Sequence, residues 1–549
     1  MDPRRVVAGA VTESTTARVP AKSASASGSG GLRGGSLGVA DIVFFVVAAA
    51  APLAVVAGAA PLAFRLGGVG AAGAYVFSGL VYLACAAGLT AFARHVRSAG
   101  AFYAFVARGL GRPPAVGTAI VALISYALIC FGFFGFLGFY AQSSIADLTG
   151  IDLHWSVYAF IGVAVVGVLG YRQITIGAKV LGVLMCAEVL ILLAISVAVL
   201  ATEGTSHFSL EPFSPARVFD SGAGGMFVMA LGAFLGFEST AIYSEEAKNP
   251  ARTVPRATYF AVAFLGIFYG FVTWIATAAL GVDGLEELAG SDAFQGMYFL
   301  FASDYLGPWA KAAMDVLMIT SLFAATLAFH NATSRYLFAL GRERIMPRFF
   351  GAAHPRFASP ARASLAVTIG AAALVLVTVL LNGDPYLHLL LWTNGVGIVG
   401  IVLLQLLCMI AVIRFFRRDR RGHGVFRVFI APALGAVGLA VGLWLMLGNF
   451  ELLTGMDGWA NAWLVAPMIV LGLAGTAWAV RMRRRDPARY ARLGNGEEAS
   501  PESAEEGQEA TPSEVAATRP PASDSLSAAP AGASAGSRST DPSASCAIA

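Results

Sequence analysis

The chain has 549 residues, 57% of them hydrophobic and 13% charged, with a formal charge of +4 and a mean hydropathy of +0.71. Soluble domains carry about 25% charged residues, so an ordinary water-soluble protein is excluded, and the near-neutral balance gives no reason to expect a nucleic-acid partner. The five cysteines show neither metal-ligand spacing nor a disulfide framework, and four of them lie in apolar stretches, where they read as small hydrophobes.

In chain order, residues 1–36 are polar and Gly/Ser-rich, with Arg4, Arg5, Lys22 and Arg33. They read as a flexible cytoplasmic arm, with no cleavable signal peptide. Windows of about twenty apolar residues follow. They fall near 39–63, 69–94, 115–146, 156–171, 175–201, 224–244, 255–281, 309–340, 363–382, 386–415, 428–448 and 459–480, which makes twelve predicted spans.

The first span contains Ala49-Ala50-Ala51-Pro52-Leu53. Proline inside a helix removes a donor and clashes with the preceding turn, and small residues admit a second backbone closely, so a break is expected there. Span 5 carries Glu188, about nine residues or roughly 13 Å of helix beyond its charged end. A carboxylate at that depth can be paired structurally with a neighbouring helix. Alternatively it can carry a proton, or hold a cation together with hydroxyls of span 8 such as Thr320, Ser321 and Thr326. Residues 203–223 read as an irregular external segment.

Span 6 runs through Gly232-Ala233-Phe234-Leu235-Gly236 to Glu238. A glycine break frees backbone groups that hydrocarbon cannot satisfy, so it must line a cavity or lie buried in protein. The carboxylate at Glu238 carries a few kcal/mol of cost at membrane depth. Spans 1 and 6 are therefore both interrupted, five spans apart, and matching breaks in two halves point to an inverted repeat with its site at the midplane. Farther on, 282–306 is expected to form an amphipathic lid over the outer vestibule. Asp315, His330 and Asn331 are polar residues at depth in span 8, and His330 is read as packing or lining a cavity. The basic runs GRERIMPRFF and RFFRRDRRGHGVFR mark topology, with contact to anionic lipid as a second reading. From 486 to 549 the composition turns to Ser, Ala, Pro, Glu and Gly, as in a disordered cytoplasmic tail.

Lys and Arg divide about twenty to three between the two sets of loops, with Arg65, Arg217 and Lys311 on the poorer side. Short cytoplasmic loops accumulate these residues, which places both termini in the cytoplasm and the protein in the plasma (inner) membrane. No GxxxxGK[ST] phosphate loop and no nucleophile beside a base occur, so neither an enzyme nor an ATP-driven pump is expected.

Phe234-Leu235-Gly236-Phe237-Glu238, Glu245-Glu246-Ala247-Lys248-Asn249-Pro250 and Val254-Pro255-Arg256-Ala257 resemble the sixth span and following loop of the amino acid, polyamine and organocation (APC) superfamily. Arg97-Ser98-Ala99-Gly100-Ala101-Phe102-Tyr103 is similar to its SAGG-x-Y segment. The similarity runs from about Leu37 to Arg485. It implies an all-α polytopic fold of twelve membrane helices, a LeuT-like 5+5 inverted repeat (about 37–202 and 224–415) with peripheral helices in 428–480. It also implies substrate contacts at Ala49, Ala50, Ala51, Pro52 and Leu53 and at Gly232, Ala233, Phe234, Leu235, Gly236 and Glu238. Some relatives carry a lysine at the position judged equivalent to Glu188, standing in for a coupling cation. Relatives clamp a substrate carboxylate on a Gly-Ser-Gly-like run, for which this chain has Ala-Ala-Pro, a departure that favours an amine or a modified amino acid.

The expectation is a secondary transporter for amino acids or related amines, coupled to protons rather than sodium or working by exchange, with Glu188, Thr320, Ser321 and Thr326 serving coupling and no cofactor. The rival readings are a non-transporting membrane sensor or scaffold of the same fold, and a major-facilitator carrier.

Overall fold

The computed structural model describes residues 38–95, 101–172, 178–204, 206–220, 223–237, 240, 247–357, 359–456 and 458–493. Residues 1–36, most of the expected tail, Glu238, Glu245 and Glu246, and the Arg97–Gly100 part of the second family segment lie outside them.

Every regular element among the described residues is helical. The first half of the chain holds α1 (Val39–Ala49), a π-helical stretch (Ala54–Ala59) leading into α2 (Ala60–Gly67), α3 (Ala71–Phe92), α4 (Ala101–Gly109), α5 (Arg112–Thr149), α6 (Trp155–Arg172) and α7 (Ala178–Glu203). After the short α8 (Pro215–Val218) come α9 (Ala223–Gly232), α10 (Pro250–Gly290), α11 (Met297–Leu306), α12 (Pro308–Arg342) and α13 (Ala361–Leu380). The remaining helices are α14 (Trp392–Phe416), α15 (Ala431–Gly448), α16 (Phe450–Thr454), α17 (Gly458–Arg485) and α18 (Pro487–Arg492).

Ten helices among the described residues are long and apolar enough to cross a membrane. One of these, Ala54–Phe92, runs through the second half of predicted span 1 and all of span 2. Twelve were predicted; α1 and α9, which precede the two breaks, have 11 and 10 residues and are too short to qualify. Packed structure also extends past 485. Asp486 caps α18 by accepting the backbone N–H of Arg489 at 2.9 Å, and Leu493 is buried.

The burial pattern suits lipid. On α7, Val183, Leu190 and Val197 fall on one face of the helix at seven-residue spacing, and all three are well exposed. The opposite face buries Glu188, Leu192, Ile195 and Val199. An apolar exterior around a buried carboxylate is the reverse of a soluble helix, and it leaves the polar group facing the bundle.

Charge separates along the bundle axis as expected. At one end Arg94 donates to the Ala251 carbonyl (2.7 Å), Arg427 to Thr90 (3.1 Å) and Arg112 to the Leu493 carbonyl (2.8 Å). At the other end Arg65 donates to the Ser291 carbonyl (2.9 Å), Arg217 pairs with Glu211, and Lys311 with Asp147. The segment expected as a lid is helical. Gly281 kinks α10 at φ +71°, and Arg65 lies 4.7 Å from the centroid of the Phe294 ring, so the segment packs over the far end of the first interrupted span.

Candidate functional site

Both expected breaks are present, and both are buried. Helix α1 ends at Ala49, Ala51 turns the chain at φ +47°, and helical structure resumes at Pro52. Proline suits a first helical turn, where its missing N–H would have had no partner. The next donor, the Leu53 N–H, points at Glu188 Oε2 across 3.3 Å, and Ser321 donates its hydroxyl to the same oxygen at 2.8 Å. Glu188 is 4% exposed and, among the described residues, forms no salt bridge.

The carbonyls freed along the first break are met by tyrosines from three other helices. Tyr269 of α10 donates to the Ala50 carbonyl, Tyr140 of α5 to that of Ala57, and Tyr386, just before α14, to that of Gly58, each at 3.3 Å. The π-helical winding of 54–59 explains why acceptors are offered here, because a widened turn loosens the regular ladder.

At the second break α9 stops at Gly232, and residues 233–237 descend in tight turns. Phe234 bonds back to Leu231 (3.3 Å), Leu235 to Gly232 (3.1 Å) and Phe237 to Phe234 (3.3 Å), while Gly236 adopts φ +98°. The Phe234 ring stacks on Tyr82, with centroids 5.1 Å apart, and meets the edge of Tyr269 at 6.0 Å. Tyr269 therefore touches both breaks, one through its ring and the other through its hydroxyl. Helices α3 and α10 approach closely enough for this because Gly79 and Gly266 face each other, and a Cβ on Gly79 would lie 2.9 Å from the Gly266 Cα. Tyr82 also donates to Gln405 Oε1 at 2.8 Å and reaches the Leu231 carbonyl at 3.3 Å, tying the end of α9 to α14.

Of the predicted residues, Ala50, Ala51, Pro52, Leu53, Glu188 and Ser321 come together at the first break, and Ala49 is the last residue of α1. Gly232, Ala233, Phe234, Leu235 and Gly236 form the second, and Glu238 lies outside the described residues. Thr320 and Thr326 turn to their own helix, donating to the carbonyls of Leu317 (3.0 Å) and Leu322 (2.6 Å). The rotation of about 100° per residue along α12 gives Ser321 the face toward α7 and takes its neighbours off it. Asp315 is engaged by Ser144 (3.0 Å) and Lys311 (3.3 Å), and His330 by Thr368 (3.0 Å).

Sequence reasoning missed the tyrosine shell. Its signal was available, since Tyr75, Tyr140, Tyr269 and Tyr386 carry a polar hydroxyl into apolar spans, but it pointed to no partner. The Tyr75 hydroxyl is buried without a hydrogen-bond partner among the described residues, and its ring lies 5.9 Å from that of Tyr269. Among the described residues no group of three or more His, Cys, Asp or Glu could hold a metal ion.

The chain is similar to an uncharacterised transporter of Mycobacterium bovis, with 36% identity over 143 residues, 26% of this chain and 31% of the relative. It is 25% identical over 309 residues to the branched-chain amino acid permease BcaP of Bacillus subtilis, covering 52% of this chain and 63% of the relative. To the low-affinity putrescine importer PlaP of Escherichia coli it is 26% identical over 260 residues, 45% of this chain and 54% of the relative. These matches thus span from about a third to under two thirds of the relatives' own lengths. The family model described as "Amino acid permease" matches residues 37–474, most of the chain and both breaks, and this chain therefore belongs to the amino acid permease family, within the APC superfamily.

Proposed function

We propose that this protein is a secondary active transporter that moves amines or amino acids across the plasma membrane by alternating access. In this reading it has twelve spans, with the Arg-rich end and both termini in the cytoplasm. Two fivefold repeats face each other across the breaks, and the last two long helices, α15 and α17, are peripheral. The cargo binds between Ala49–Leu53 and Gly232–Gly236, and Glu238 senses its amine.

The observation that carries the reading is the shared carboxylate oxygen of Glu188, held by the Leu53 N–H and the Ser321 hydroxyl. The N-terminal end of a helix attracts negative charge, and here the protein's own carboxylate already occupies that position. A cargo carboxylate would have to compete with Glu188, whereas an ammonium group would pair with it and with the Ala50 carbonyl, which keeps a second lone pair beside Tyr269. The reading therefore favours the cationic end of the cargo as the recognised one. The putrescine importer among the relatives supports it, and the branched-chain permease keeps amino acids in view. A buried ionised carboxylate with no cation costs several kcal/mol, so a proton or the bound ammonium is its natural partner, and exchange of one for the other would couple transport to a proton gradient.

Proteoliposomes holding the purified protein provide the test. Labelled putrescine and leucine are offered in counterflow and then under an imposed pH gradient. The proposal expects exchange in the first arm and accumulation in the second, stronger for the amine. A ligand that raises the melting temperature yet never exchanges would establish the sensor reading instead.

A further inference from the structure

At the Arg-rich end of the bundle a cleft of about 540 Å³ opens between the loop after α12 and the end of α17. Arg344, Arg348 and Arg489 line it with their charges, and Trp478, Ile345, Met346 and Pro347 supply its apolar wall. Among the described residues no carboxylate lines it. The nearby acids are engaged elsewhere, since Glu343 accepts from Tyr103 and Asp486 caps α18. Among the described residues none of the three arginines forms a salt bridge.

The walls are built rather than incidental. Arg489 lies 5.4 Å from the Trp478 ring centroid and donates to the Arg344 carbonyl, and its Nε is buried without a hydrogen-bond partner. Arg112 holds α18 from below through the carbonyls of Ala491 (2.9 Å) and Leu493 (2.8 Å), and Leu493 packs with Val116, Ala479 and Met482. Arg344 itself sits at φ +60°, which turns the loop back over the cleft.

Three guanidinium groups without a carboxylate partner around one cleft suit a phosphate, whose oxygens accept their forked donors. The position indicates what carries that phosphate. Leu471, exposed and two turns before Trp478, lies on the same face of α17 and continues the apolar wall of the cleft along the helix. Tryptophan is enriched at the membrane–water boundary, and clustered arginines just beyond a membrane helix attract anionic headgroups.

We propose that this cleft binds the phosphate of an anionic phospholipid, whose acyl chains lie along the face of α17 that carries Leu471 and Trp478. The test uses the full chain in detergent, titrated with brominated phosphatidylglycerol or brominated phosphatidylcholine while indole fluorescence is followed. Subtracting the response of W478F isolates Trp478. Quenching of Trp478 by the anionic lipid and not by the zwitterionic one is expected. The R344Q/R348Q variant leaves the Arg489 contacts intact, and should need about 25-fold more lipid, some fivefold per arginine. R417Q/R418Q, at the same end but outside the cleft, should behave as wild type. Equal quenching by both lipids, or equal weakening in the two double variants, would overturn the proposal. An arm with millimolar inorganic phosphate separates the sources: relief of quenching would assign the cleft to a soluble phosphate and overturn the lipid, and persistence supports it. Native mass spectrometry of the unsubstituted chain gives an independent reading, since failure to retain phosphatidylglycerol in preference to phosphatidylcholine would also sink it.

Discussion

At the first break the freed backbone groups are met from outside. Leu53 turns to Glu188, and Ala50, Ala57 and Gly58 are held by tyrosines from three helices. At the second break short-range turns over 231–237 and a glycine at φ +98° carry most of the described backbone bonds, with the Tyr82 hydroxyl reaching the Leu231 carbonyl from α3. The difference suggests two roles. A segment held by side chains of neighbouring helices changes its state when a neighbour gains a proton or moves, whereas a segment closed on itself moves as a unit. Under the proposed function, the first break would couple the ion and the second would gate the cargo.

The largest expected effect comes from Glu188→Gln, which keeps an oxygen for Leu53 and Ser321 but removes the charge. Accumulation driven by a pH gradient should fall on the order of 100-fold, equivalent to about 3 kcal/mol, and the thermal shift produced by putrescine should shrink with it, because the ammonium loses its anionic partner. Uptake unchanged across all imposed gradients would remove Glu188 from coupling and erase the distinction between the breaks.

Backbone substitutions probe the same contrast. Gly236→Ala places a Cβ in a left-handed conformation and should lower unfolding stability by roughly 1–2 kcal/mol. Ala51→Gly relieves that type of strain at the other break while loosening the unfolded chain, so the two effects offset and the net change should stay under about 1 kcal/mol. Melting curves of the two variants decide it, and a larger loss in Ala51→Gly would mean that the alanine methyl is itself a packing element.

Tyr269→Phe keeps the ring against Phe234 and removes only the hydroxyl on Ala50. A loss of about 1 kcal/mol in stability is expected, together with a smaller thermal shift produced by putrescine. The same change at Tyr82, whose hydroxyl ties α9 to α14, should spare the coupling proposed for the first break.

The smallest effect lies away from both breaks. His95 and His423 meet at the Arg-rich end with their Nε2 atoms 3.2 Å apart, a contact in which one neutral ring donates and the other accepts. Partial burial, then the Arg421 guanidinium, hold His95 below the ordinary imidazole range, and burial followed by Arg427 does the same to His423. A depressed imidazole binds fewer protons folded than unfolded. Its stabilising contribution is therefore complete above the unfolded value of about 6.5 and is lost as pH falls from there through the folded one. Wild type should lose melting temperature over that window slightly more than His423→Gln, and identical slopes would show that the pair does not contribute.

Much of this protein was legible in its sequence because the bilayer restricts the outcome. Hydrocarbon demands long apolar helices, so their windows could be read directly, and the same demand made Pro52 and the Gly232–Gly236 run stand out as breaks and Glu188 as a buried group needing a partner. The sequence also located span 8 as the source of that partner. It could not separate Ser321 from Thr320 and Thr326, because hydropathy does not report which face of an all-apolar helix turns toward α7. Tyr140, Tyr269 and Tyr386 were invisible as a group for a related reason: they are far apart along the chain, and only the packing of three helices around one loosened turn makes them a shell. Local chemistry thus determined where the chain must come undone, and the arrangement of the surrounding helices decided which side chains hold it there.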